Sequence, residues 1–285
     1  MSGKFIDDNQ GNPLYIKTWS PAGKPVASVL FVHGLGEHIG RYDHVFPIFA
    51  EKHSIKVTGL DYAGHGRTVT EQNGIQGFTP FDTVIEQLEL VMSSIVIPGA
   101  EGAPVFVMGH SLGGLLSTYF TSLHWKTYNV KGLVLSAPAV VGTAPVFDEG
   151  FVPPPDKERE QFANGLPLDG LSRDPKVIEA YKNDPFVHGF LTLRLAFSIF
   201  QARQHLQGKG RDELTLPIML LHGTQDKLVP VAPTVEFINS LPAVDKTVIT
   251  MSPLYHEPHN EPEQAEVINY YVNWILSRAT TRTPL

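Results

Sequence analysis

The chain contains no cysteine among its 285 residues. That absence excludes disulfides, thiolate metal sites and thiol catalysis. It also has no run of lysine and arginine, and its formal net charge is −7, which argues against nucleic acid as a main partner. No uninterrupted stretch reaches the roughly 18 apolar residues that span a bilayer. The opening "MSGKFIDDNQGNPLYIKTW" lacks the apolar segment of a signal peptide, so the cytoplasm is the expected compartment. Its 12 histidines never fall in a catalytic zinc pattern such as H-E-x-x-H, so neither a metal nor a cofactor is expected. No internal repeat is visible.

What is present is an ordinary globular composition, 42% hydrophobic and 18% charged. A chain of this length can bury a large core and fits one α/β domain carrying an insertion. Short apolar runs ("ASVLFVHG", "IKVTGLD", "PVFVMGH", "KGLVLSAP", "LPIMLLHG", "DKTVITM") read as strands. They alternate with stretches of helical spacing such as "FDTVIEQLELVMSSIV" and "EQAEVINYYVNWILSR". "YDHVFPIFAEKH" also has helical spacing, with Pro47 inside it. Strict alternation predicts a mostly parallel sheet with helices on both faces. "LYIKTWS" is expected to add an antiparallel edge. Residues 139–206 break the rhythm, with a proline cluster, turn signals and no clear strand. They are too long for an ordinary connection and are read as an inserted lid, between core segments 1–138 and 207–285.

The residues with the most chemistry are Gly109-His110-Ser111-Leu112-Gly113, a G-x-S-x-G at a strand-to-helix junction. So sharp a turn strains the central residue and brings the positions two before and two after it too close for a Cβ. A capping serine in an ordinary turn would show the same five residues, but the junction is where a nucleophilic serine is required. A serine hydroxyl needs a base, and the base an acid. In this fold the order is Ser, acid, His. Asp226 lies just past the strand "LPIMLLHG", although a turn residue would look alike. His256 and His259 share the loop after the last strand. His256 is the choice because it lies nearer the strand end, and His259 is the alternative. The oxyanion requires two N–H donors. Leu112 is expected to supply one, and Leu35, between Gly34 and Gly36, the other.

The motifs "HGLGEHIGRYDHV", "LDYAGHGRT", "GHSLGG", "YKNDP", "LLHGTQDKLVP" and "YHEPHNEPE" together resemble the monoacylglycerol lipase family of α/β-hydrolases, over about Leu14 to Trp274. The resemblance implies Ser111 as nucleophile, Asp226 as acid and His256 as base, with Leu35 and Leu112 as oxyanion donors. It also implies Glu37, Arg41, Tyr181 and His259 at the glycerol end of the pocket. The substrate class is a monoacylglycerol or related lipid ester, and the lid would touch a membrane or lipid-droplet surface. Thr68 departs from the family's usual Ser in its "GHG" turn. Read from the residues alone, Glu37 and Arg41 suit a helix-start ion pair equally well, Tyr181 could be core of the lid, and "FLTLRLAFSIF" suits buried packing. Other expectations compatible with the motifs are a general carboxylesterase or lysophospholipase, and a lipid-binding protein on the same fold. Epoxide hydrolase and dehalogenase relatives carry Asp at the elbow, where this chain has Ser111.

Overall fold

The computed structural model describes residues 2–69, 74–142, 147, 148 and 150–279. Residues 143–146 and 149 of the expected insertion, and residues 1, 70–73 and 280–285 of the expected core segments, lie outside the described residues. Ten strands form among the described residues: Ser2–Asp7 (β1), Pro13–Trp19 (β2), Ala27–Val32 (β3), Ile55–Asp61 (β4), Val105–His110 (β5), Leu133–Ser136 (β6), Gln161–Ala163 (β7), Phe190–Thr192 (β8), Ile218–Gly223 (β9) and Lys246–Met251 (β10). Eight of them make one sheet, in the order β1-β2-β4-β3-β5-β6-β9-β10. The sheet is parallel from β4 to β10, and β1 and β2 are antiparallel.

The helices are Phe81–Val91 (α1), Ile97–Ala100 (α2), Leu112–His124 (α3), Pro175–Asn183 (α4), Leu193–Gln207 (α5), Lys209–Glu213 (α6), Val231–Ser240 (α7) and Gln264–Ala279 (α8). They cover both faces. Alternate residues of β3 point to opposite sides, as a strand requires. Leu30 and Val32 enter a core with α1, α3 and α5, whereas Val29 and Phe31 enter a second core with α8 and the segment 39–50. Residues buried on both faces explain why the parallel strands read as continuous apolar runs. The helical run Phe81–Ala100 is long and apolar enough to cross a membrane by length and composition, but Val84, Leu88, Val91, Met92 and Val96 are wholly buried in the first core.

Three expectations need correction. "LYIKTWS" is antiparallel as β2 but not the edge, because β1 pairs outside it. "YDHVFPIFAEKH" is helical over residues 46–53 alone, and mostly with π geometry. A 3₁₀ turn covers Ile39–Tyr42 and a π-helical turn Ile48–Lys52; Pro47, without an N–H, stands between them. Residues 139–206 do contain strands, the short pair β7 and β8. At three residues each, they are too brief to leave a period-two signal.

Candidate active site

At the end of β5 the backbone turns sharply into α3, and Ser111 takes φ +54° and ψ −121°. The glycines around it have steric reasons. A Cβ on Gly109 would strike the Gly113 carbonyl and Ser117 Oγ, and one on Gly113 the carbonyls of Val32 and His33. One on Gly114 would strike Pro138. The strand and helix therefore pack backbone to backbone, which holds the serine at the carboxyl end of the sheet, at the amino end of α3.

His256 and Asp226 reach the same place from 145 and 115 residues further along the chain. The Ser111 hydroxyl donates to His256 Nε2 at 2.9 Å, and His256 Nδ1–H donates to Asp226 Oδ2 at 2.7 Å. Asp226 Oδ1 accepts the backbone N–H groups of Leu228 and Val229 at 2.7 and 2.9 Å. Burial alone would raise the Asp226 carboxyl, but the facing His256, the hydrogen bonds of His222 and His256 and the Val229 N–H hold it well below the usual carboxylate range. An ionised acceptor fixes the tautomer of His256, with its proton on Nδ1 and a free lone pair on Nε2. Insertion residues brace the base loop: the N–H groups of His256 and Glu257 donate to the carbonyls of Gly170 and Leu171 at 3.2 and 2.8 Å.

Leu35 lies on the wall of the cavity over Ser111, and Leu112 is the first residue of α3. Neither amide has a hydrogen-bond acceptor among the described residues. The loop carrying Leu35 is fixed on both sides. Gly34 N–H and the Tyr42 hydroxyl donate to Glu37 Oε1 at 2.6 and 2.8 Å. His188 N–H, from the insertion, donates to the Gly36 carbonyl at 2.9 Å. Gly36 has φ +73°, and a Cβ there would meet the His188 carbonyl.

Of the four residues expected at the glycerol end, Glu37, Arg41 and Tyr181 line the cavity together. His259 does not reach its wall; it is buried, stacked on Tyr42 at 4.8 Å between ring centres and edge-on to His110 at 4.9 Å. The cavity measures about 20 Å³, room for about one water, and Leu166, Leu171 and Tyr181 of the insertion line it together with Leu228.

Sequence reading missed Glu257. Arg41 Nη1 donates to Glu37 Oε2 and Glu257 Oε1, both at 2.7 Å, and Nη2 donates to Glu257 Oε2 at 2.8 Å. One guanidinium thus ties the loop of Leu35 to the loop of His256. The pairing pulls the Glu257 carboxyl well below the usual range despite its burial, while burial and the neighbouring Glu257 leave Glu37 raised. Removing the cation strands two buried carboxylates. Arg41→Met should therefore cost about 3–5 kcal/mol, read as a lower urea midpoint at neutral pH, with Arg41→Met/Glu257→Gln recovering part of the loss. An unchanged midpoint in the single variant would rule out a stabilising clamp. His222 and His110 were missed as well. Each looks like strand core, and only the fold places them beside Asp226 and His256.

The chain matches the family described as serine aminopeptidase, S33, over residues 23–263. It is 32% identical to the monoacylglycerol lipase of Mycolicibacterium smegmatis, over 94% of each chain. It is 31% identical to an abhydrolase domain-containing protein of Dictyostelium discoideum over 93% of this chain, spanning only 28% of that longer protein. Its fold superposes on the solved structure of the Paleococcus ferrophilus monoacylglycerol lipase with a TM-score of 0.79, at 26% identity over 93% of this chain and 99% of that one. The chain belongs to the serine aminopeptidase S33 family and to the monoacylglycerol lipase family of α/β-hydrolases that its motifs resemble.

Proposed function

We propose that the protein is a carboxylic ester hydrolase that cleaves monoacylglycerol to glycerol and a free fatty acid. The observation that carries this is the hydrogen-bonded line from Ser111 through His256 to Asp226. As Ser111 Oγ bonds to the acyl carbon, its proton passes to His256 Nε2 and the carbonyl pair moves onto oxygen. The N–H groups of Leu35 and Leu112 hold that oxyanion. Collapse expels the glycerol oxygen, which takes the proton from His256 and leaves an acyl-Ser111 ester. A water, deprotonated by the same imidazole, attacks this ester; the fatty acid departs and the proton returns to Ser111. Asp226 keeps the ring oriented and stabilises its charged form.

The relatives named above support monoacylglycerol as the substrate class. Glu37, Arg41 and Tyr181 then form the alcohol end, with His259 shaping it from behind Tyr42. Residues 139–206 act as a cap on a core of residues 1–138 and 207–285. Its Leu166, Leu171 and Tyr181 line the small cavity at Ser111, and a drug-sized ligand needs roughly 300 Å³ or more, so the cap shifts to admit an acyl chain. Val152, Phe162 and Phe190 are exposed on this cap, the last two on the β7–β8 pair, and suit peripheral contact with a membrane or lipid droplet by a cytoplasmic protein.

The test is a substrate panel of monoacylglycerols of graded chain length, di- and triacylglycerol, lysophospholipid, short p-nitrophenyl esters and an aminoacyl amide. Monoacylglycerol should lead by about tenfold or more in kcat/KM, a margin within reach of pocket contacts. Preference for lysophospholipid or p-nitrophenyl esters would replace it with those activities, and preference for the amide with the peptidase chemistry of the family description. No turnover, with a fluorophosphonate failing to label Ser111, would leave a lipid-binding protein.

A further inference from the structure

Asp226 Oδ2 receives a second imidazole. His222 Nε2 lies 2.9 Å from it, on the same oxygen that accepts His256 Nδ1–H at 2.7 Å. Because Asp226 is an ionised acceptor, His222 Nε2 is the donor. With Leu228 and Val229 on Oδ1, the carboxylate holds four hydrogen bonds, three of them independent of the base. His222 stands in β9 after Ile218 and Leu220, which point into the first core. Its side chain is wholly buried, and its Nδ1 has no partner among the described residues. An apolar residue would fill that position without an orphaned ring nitrogen, whose burial is costly. His222 does not line the cavity over Ser111, so it does not serve to contact substrate.

We propose that His222 is a positioning residue for the hydrolysis. Its Nε2–H pins Asp226 Oδ2, so the acid keeps one orientation while His256 gains and loses its proton during turnover. The Oδ1 bonds fix one end of the carboxylate and His222 fixes the other. His256 then finds its acceptor in place instead of orienting it. This rests on the ester-hydrolase reading above.

His222→Leu, which keeps bulk and removes the donor, should lower kcat by about tenfold to a hundredfold, the scale of a small misplacement of a catalytic group. KM should be unchanged. His222→Gln, which restores an N–H, should recover most of the loss. In proton NMR, the low-field resonance of the His256–Asp226 hydrogen bond should move further downfield in His222→Leu, since Oδ2 then serves one donor, and return in His222→Gln. A kcat within twofold of wild type with an unmoved resonance in folded His222→Leu overturns the proposal, as does a rise in KM at constant kcat. If His222→Leu does not fold, His222→Gln decides: near-wild-type kcat supports the proposal and lost kcat overturns it. The NMR measurement needs no substrate. A wild-type protein inactive on the whole panel therefore defeats the hydrolase reading separately from this one.

Discussion

Ser111→Ala should lose about four to six orders of magnitude in kcat while the protein folds as before. The size follows from removing a nucleophile that works as a unit with its base and acid, which leaves only the oxyanion donors and substrate binding. Retained folding follows from the site. Among the described residues the hydroxyl makes one hydrogen bond, to His256, and the backbone of Ser111 is held by its own carbonyl and amide, through Ser136, Leu115 and Ala139. Ser111→Gly gives a sharper result. At φ +54° and ψ −121° a side chain is strained by about 1–3 kcal/mol, and glycine is not. The glycine variant should be inactive yet more stable than wild type, read together as fluorophosphonate labelling and a urea midpoint. A glycine variant that unfolds more easily would mean that the elbow stores no strain. Wild-type turnover in folded Ser111→Ala would remove the serine mechanism altogether.

The elbow was legible because its causes are local. Strain at Ser111 and the close approach of Gly109 to the Gly113 carbonyl act within five residues, so their signature survives in a short string, whereas the reason for Gly113, the carbonyls of Val32 and His33, lies in a distant strand. The order of Ser111, Asp226 and His256 was legible because parallel strands deliver their following loops to one rim of the sheet. Choosing His256 over His259 from strand proximity gave the imidazole that meets Ser111; His259 turns behind it, onto Tyr42. Contacts between distant segments were not legible. Arg41 and Glu257 are 216 residues apart, and "YHEP" carries no mark that its glutamate answers an arginine in "GRY". His222 sits in an apolar strand where periodicity predicts core. β1 was missed because "SGKFID" alternates weakly, and it exists through pairing with β2 rather than by its own propensity.

Acid should unfold this protein well above the pH at which carboxylates usually act. Five imidazoles, His33, His65, His110, His188 and His259, are buried and pushed down by that burial, His33 and His259 to about 3 and His188 to about 4. In the unfolded chain each titrates near 6.5. A base whose pKa is lower in the folded state gives stability that is complete above the unfolded value and is lost as pH falls toward the folded one. Two buried carboxyls, Glu37 and Asp61, are raised. They act in the opposite sense, since the folded state holds their protons more tightly. The lowered imidazoles outnumber the raised carboxyls, so unfolding takes up protons on balance as pH falls below about 6.5, each such histidine adding up to about 1.4 kcal/mol per pH unit. Against a total stability of about 5–15 kcal/mol, a few such sites suffice to unfold the protein in mild acid. Urea midpoints measured from pH 7.5 to 5 should fall steeply from about pH 6.5. His65→Phe removes one such imidazole from contact with His33 and His188 and should make the slope shallower by up to about 1.4 kcal/mol per pH unit. A wild-type midpoint that holds constant down to pH 5 would mean that these histidines are protonated inside the fold. In the buried ring cluster of His33, His65 and His188 the facing carboxylate is Asp61, at 4.0 Å from His33 Nε2, too long for a hydrogen bond and itself pushed toward its neutral form by burial.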